Sequence, residues 1–144
     1  MHNLVARLRE HVIVNNPWEP AGDGDPFEGI HEIDSVRERE RRLAEVNRML
    51  GRLNRQSIDA SDALFAILDG VDVDSGTAAE IGYAFGRGKY ISGLRTDFRL
   101  AGDNPGSIVN LQVEYFILES GGRIVTDIEA FVDLAREFAA AHER

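Results

Sequence analysis

The sequence predicts an α/β fold built on a parallel, doubly wound sheet, and three observations carry that expectation. Ala63 to Leu68 (ALFAIL) is an unbroken apolar run of the kind buried on both faces of a parallel strand. Lys89 to Leu94 (KYISGL) is a weaker second run, and between the two lies Thr77 to Gly86, with Ala78, Ile81, Ala84 and Phe85 on one helical side. Segments with strand and helix patterns alternate along the rest of the chain, which is the signature of βαβ connections. Ser61 to Arg99 therefore reads as a strand-loop-helix-strand unit, with Ala63 to Leu68 expected at the centre of the sheet.

The remaining elements follow in order. Leu4, Val5 and Leu8 give Asn3 to Glu10 the spacing of a short amphipathic helix, and Val12 to Val14 reads as a short strand. Asn15 to Asp34 holds three of the four prolines and is a loop by composition. Its aromatics, Trp18 and Phe27, are either anchors to the core or a wall for a planar ligand. Ser35 is placed to cap a helix carrying Leu43, Val46, Met49 and Leu50 inward, with a break expected at Gly51 before Leu53 to Ile58. Thr96 to Ser107 is a second polar loop. Ile108 to Leu118 fits a helix or, being partly β-branched, a strand; helix is the reading adopted. Arg123 to Val125 is expected as a last short strand and Asp127 to His142 as an amphipathic terminal helix.

Bulk properties narrow the function. The chain has 144 residues and 43% hydrophobic content, enough for a single domain over residues 1–144. No apolar run reaches the ~20 residues of a membrane span, and the amino terminus lacks the apolar stretch of a secretory signal, so a soluble cytoplasmic protein without membrane partners is expected. Without cysteine there is no disulfide, zinc-thiolate site or thiol nucleophile. A formal charge of −9 disfavours a nucleic acid polymer as partner. The four histidines do not cluster with acids at ligand spacing, so neither a metal nor another cofactor is expected.

The chemistry concentrates in LDGVDVDSGTAAE. Asp69, Asp72, Asp74 and Glu80 lie in or just beyond the loop at the carboxyl end of the first strand, where open α/β sheets bind ligands. A helix amino terminus offers free N–H groups and a positive dipole end, so this segment can hold anionic or hydroxyl-bearing atoms and fix Glu80 in the first turn as an ionised nucleophile. Asp74 or Ser75 can cap the helix, and Gly76 allows close approach of a ligand to the backbone. For Asp74 the plain alternative is a structural cap, and for Glu80 a carboxylate that merely gains from the dipole. Neither a Walker phosphate loop nor a dinucleotide fingerprint is present.

The string LDGVDVDSGTAAEIGYAFGRGKYISGLRTDFR, with Asn54, Ile58 and Asp62 upstream and Asn110 in IVNLQVEYFI and GGRIV downstream, resembles the signature of the nucleoside 2-deoxyribosyltransferase family. The resemblance implies a flavodoxin-like fold and a transferase of nucleotide salvage that moves a 2-deoxyribosyl group between nucleobases. It implies Glu80 as the nucleophile that forms a covalent glycosyl intermediate, with retention, by the logic of retaining glycosidases. Asp69, Gly70, Asp74, Ser75 and Gly76 would bind the nucleoside. Asn54 would stand where family members carry an aspartate that handles the base, which leaves Asp69, Asp72 or water to protonate it. Asn110 would reach a neighbouring subunit's site, implying a homodimer or higher homo-oligomer, for which the apolar face of Val109, Val113, Phe116 and Ile117 is the expected interface. Family members begin with a strand and a glycine-proline-aromatic turn, whereas this chain begins in the following helix; the expectation is that residues ahead of that helix are missing from the sequence. The other classes implied are an N-glycoside hydrolase of 2-deoxynucleosides or their 5′-monophosphates, and a nucleotide-binding module without turnover.

Overall fold

A computed structural model describes residues 2–17, 19 and 24–142. The chain divides into two compact units: one comprises the residues up to Val14 and from Ile58 onward, the other Asn15–Ser57.

The first unit holds a three-stranded parallel sheet in the order β1-β2-β3, with β1 at Ala63–Ile67, β2 at Tyr90–Leu94 and β3 at Ile124–Val125. Helices cover both faces, the arrangement expected of a doubly wound, flavodoxin-like fold. Alternation along β1 divides its side chains between two cores. Leu64, Ala66 and Leu68 join α3 (Ser75–Gly86) and α4 (Leu111–Glu119) on one face, with Ile81, Ile91, Val109 and Ile117 fully buried. Phe65 and Ile67 face α1 (His2–Leu8) and α5 (Ile128–His142) on the other, around Leu8, Leu94 and Phe131. The Phe65 and Phe131 rings meet edge to face at 5.5 Å. Gly93 in β2 permits a close approach by Leu68, since a Cβ there would stand 2.4 Å from Leu68 Cδ1.

Several expectations are corrected here. Among the described residues β1 pairs only with β2 and lies at the edge of the sheet, and β2 is the middle strand. Its apolar run results from cover on both faces and not from a central place in the sheet. Val12 to Val14 forms no ladder; Val12 and Val14 instead pack their side chains into the Leu8–Phe131 core, so burial rather than strand pairing accounts for their apolar character. The outer segment settles as helix only from Leu111 onward, and the terminal helix begins at Ile128, where Asp127 accepts a hydrogen bond from the Ala130 amide at 2.9 Å.

In the second unit Gly29, at φ 71°, leads into a 3-10 turn at Ile30–Glu32. Ser35 Oγ accepts from the Glu38 amide at 3.3 Å, as a cap should, and starts α2 (Val36–Ala60). The expected break at Gly51 does not occur. A glycine in an exposed helix interior costs about 1 kcal/mol against alanine, and pairs such as Arg41 with Glu38 and Glu45 are among the interactions that support the helix. Phe27 is half-buried; Trp18 lies outside the described residues. Among the described residues no helix is long and apolar enough to cross a membrane.

Candidate functional site

The loops at the carboxyl ends of β1 and β2 form a groove lined by Asp69, Thr96, Asp97, Phe98 and Arg99. Asp69 organises it. One carboxylate oxygen accepts from the amides of Thr96 (2.6 Å) and Asp97 (2.9 Å), and the other from the Thr96 hydroxyl (2.6 Å). Burial alone would push this carboxyl up, but the Thr96 hydroxyl, the two amides and the Arg95 charge outweigh it and hold Asp69 below the usual range. Asp97 is held well below that range by hydrogen bonds from the Arg99 side chain and amide, the guanidinium lying across both of its oxygens. Phe98 stands 95% exposed on this wall, its ring available to a planar ligand.

The loop from Asp69 turns at Gly70, whose φ of 133° and 2.8 Å clearance from Asp72 O at a Cβ position leave room for glycine alone. Asp72 accepts from the Val73 amide at 2.8 Å. Asp74 caps α3, one oxygen accepting from the Gly76 and Thr77 amides at 2.9 and 3.1 Å. Because the helix starts at Ser75, two residues before the expected start, Glu80 falls in the second turn and not the first, which holds no acid. The dipole effect fades within one turn, so it contributes little to Glu80, which is half-buried there.

Of the acids expected to converge, Asp69 lines the groove, while Asp74 caps the helix into which the same loop leads and Glu80 is carried on it with Ser75 and Gly76, outside that lining. Asn110 caps α4, accepting from the Gln112 amide at 3.0 Å. Asn54 belongs to the other unit, half-buried on α2. The sequence reading did not single out Thr96, Asp97 and Phe98 as the groove's wall; an aromatic between charged residues in a polar loop was the available signal. The expected interface residues Val109, Val113 and Ile117 are buried in their own core, and Phe116 packs on Phe85 at 4.7 Å; the apolar side chains of this segment that face outward are Ile108, Leu111, Tyr115 and Leu118.

The family model for nucleoside 2-deoxyribosyltransferases matches residues 1–115, a span that contains the groove, α3 and Asn110. The chain belongs to the nucleoside 2-deoxyribosyltransferase family. That membership supports deoxyribosyl transfer or a related glycosyl activity, the family being typically one of pentosyltransferases acting on nucleosides and nucleobases. Among solved structures, the chain resembles a conserved protein from Enterococcus faecalis V583, with 22% identity over 95% of this chain and 87% of that one and a TM-score of 0.60, a likeness of fold. A search of curated proteins finds no match.

Proposed function

We propose that this member of the family transfers a 2-deoxyribosyl group between nucleobases in cytoplasmic nucleotide salvage, with Glu80 as the nucleophile. The observation that supports the reading is the family match over residues 1–115, a span that includes the GTAAE segment of α3, where the sequence resembles the family's nucleophile-bearing helix start. In the first step a Glu80 oxygen bonds to C1′ while the C1′–N bond breaks, and the base leaves with that electron pair and takes up a proton. In the second step a nitrogen of the incoming base bonds to C1′, the C1′–O bond to Glu80 breaks, and the base gives up its proton. Two inversions give net retention. Asp74, Ser75, Gly76 and Gly70 would hold the sugar, and Asp69 would form the groove wall. Asp69, Asp72 or water would protonate the leaving base, and the Asp69 oxygens already accept three hydrogen bonds from Thr96 and Asp97.

Exchange of deoxyinosine with free adenine tests the reading. Glu80→Ala and Glu80→Gln should abolish exchange while the fold persists, since the amide keeps the shape but not the charge that steadies an oxocarbenium-like state. A 2-fluoro-2-deoxynucleoside, whose fluorine slows turnover of the intermediate, should add one sugar mass to the peptide holding Glu80. Near-native exchange by either variant, or a label on Asp69 or Asp74, overturns the mechanism. Base release without exchange would make the protein a hydrolase, and binding with neither a binding module.

The assembly proposed is a homodimer through the outer stripe of Ile108, Leu111, Tyr115 and Leu118, each more than two-fifths exposed, with Asn110 beside it at the start of α4. Light scattering at micromolar concentration should give the dimer mass and Leu118→Glu the monomer; a monomeric wild type refutes it.

A further inference from the structure

Arg95 is buried to 2% exposure immediately after β2, its amide held in the sheet by Val125 O at 2.9 Å. Its guanidinium donates to three main-chain carbonyls, Leu68 (2.5 Å), Gly70 (3.1 Å) and Arg99 (2.8 Å). These acceptors come from the end of β1, the loop that follows it and the loop after β2. Taking a guanidinium out of water is costly, and neutral carbonyls recover less of that cost than a carboxylate would. Strand ends at a sheet rim can leave such carbonyls to water, so closing the sheet does not require this charge. The fork ties the same two loops that the Asp69 carboxylate joins from above through Thr96 and Asp97. Leu68 and Gly70 flank Asp69, and Arg99 ends the wall that begins at Thr96. With those three carbonyls fixed from beneath, the Asp69 carboxylate lies where the Thr96 and Asp97 amides can reach it. A planar fork with five N–H groups can span three separated acceptors, which an ammonium cannot do.

We propose that Arg95 is a positioning residue that holds the Asp69 loop and the Thr96 to Arg99 wall in the shape that binds substrate, acting through those carbonyls without itself taking part in the chemistry. What the groove binds, a 2-deoxynucleoside, rests on the glycosyl-transfer reading above.

Arg95→Lys and Arg95→Met test it. The first keeps the charge without the fork, and the second keeps much of the apolar stem without the charge. In both, the Thr96 and Asp97 amides should exchange hydrogen about tenfold faster or more, while those of Gly93 and Leu68 keep their protection. KM for deoxyinosine should rise about tenfold or more and kcat change less than about threefold, because Arg95 takes no part in the bonds that cap the helix carrying Glu80. A purely structural role would lower the folded fraction, reducing kcat with KM unchanged, and that result overturns the proposal. Unchanged exchange at Thr96 and Asp97 overturns it as well. A wild type that turns over no deoxynucleoside defeats the glycosyl-transfer reading instead, and amide exchange then decides alone whether Arg95 holds the wall.

Discussion

Asp74 is a helix cap by geometry and a sugar ligand by proposal, and two substitutions separate these roles. Asp74→Ala removes the acceptor of two hydrogen bonds, at 2.9 Å from the Gly76 amide and 3.1 Å from the Thr77 amide. Loss of an N-cap costs about 0.5–2 kcal/mol. Asp74 is exposed, so water can replace the lost acceptor, and the cost should fall near the middle of that range, about 1 kcal/mol. For a chain of this length that is roughly 3–5 °C in Tm. Asp74→Asn keeps a good capping oxygen and removes the charge, so its Tm should stay within about 1 °C of wild type. If the carboxylate also accepts a sugar hydroxyl, a charge-assisted bond worth about 1.5–3 kcal/mol is weakened or lost, and kcat/KM should fall by about 10- to 150-fold in both variants. Thermal unfolding followed by circular dichroism, together with deoxyinosine–adenine exchange rates, reads both quantities. Full activity in Asp74→Asn would reduce Asp74 to a cap. An equal loss of Tm in the two variants would refute the capping argument.

Further outcomes follow from the same structure. Asp69 and Asp97 have folded pKa values below their unfolded ones, so each contributes stability that is present above the ordinary carboxylate range and lost as pH falls through the folded value. Asp69→Asn, which cannot titrate, should therefore lower stability near neutral pH and flatten its fall below about pH 4 in urea titrations; an acid limb parallel to wild type would contradict this. Gly93→Ala sets a methyl 2.4 Å from Leu68 Cδ1 and 3.1 Å from Leu68 Cγ in a fully buried site, and overpacking of this kind costs about 1–3 kcal/mol. Adding Leu68→Val should recover part of that loss, and strict additivity in chemical unfolding would show that the clash is not the cause.

Locally encoded features were legible in the sequence. The apolar run of Ala63 to Leu68, the helix after Asp74, the cap at Ser35 and the inward stripe of the terminal helix depend on neighbours within a few residues. Composition and period report these directly. The Glu80 candidate was legible for a different reason, since it sits in a motif that identifies the family. Periodicity says that a face is covered but not by what. It therefore could not place β1 at an edge, because ladder partners lie far apart in sequence, nor tell that Val109, Val113 and Ile117 fill their own core while Leu111, Tyr115 and Leu118 face outward. Asp69 passed for a free pocket acid until the chain brought Thr96 and Asp97 against it. Only the meeting of the loops after β1 and β2 supplies the three carbonyls that let Arg95 be buried with its charge.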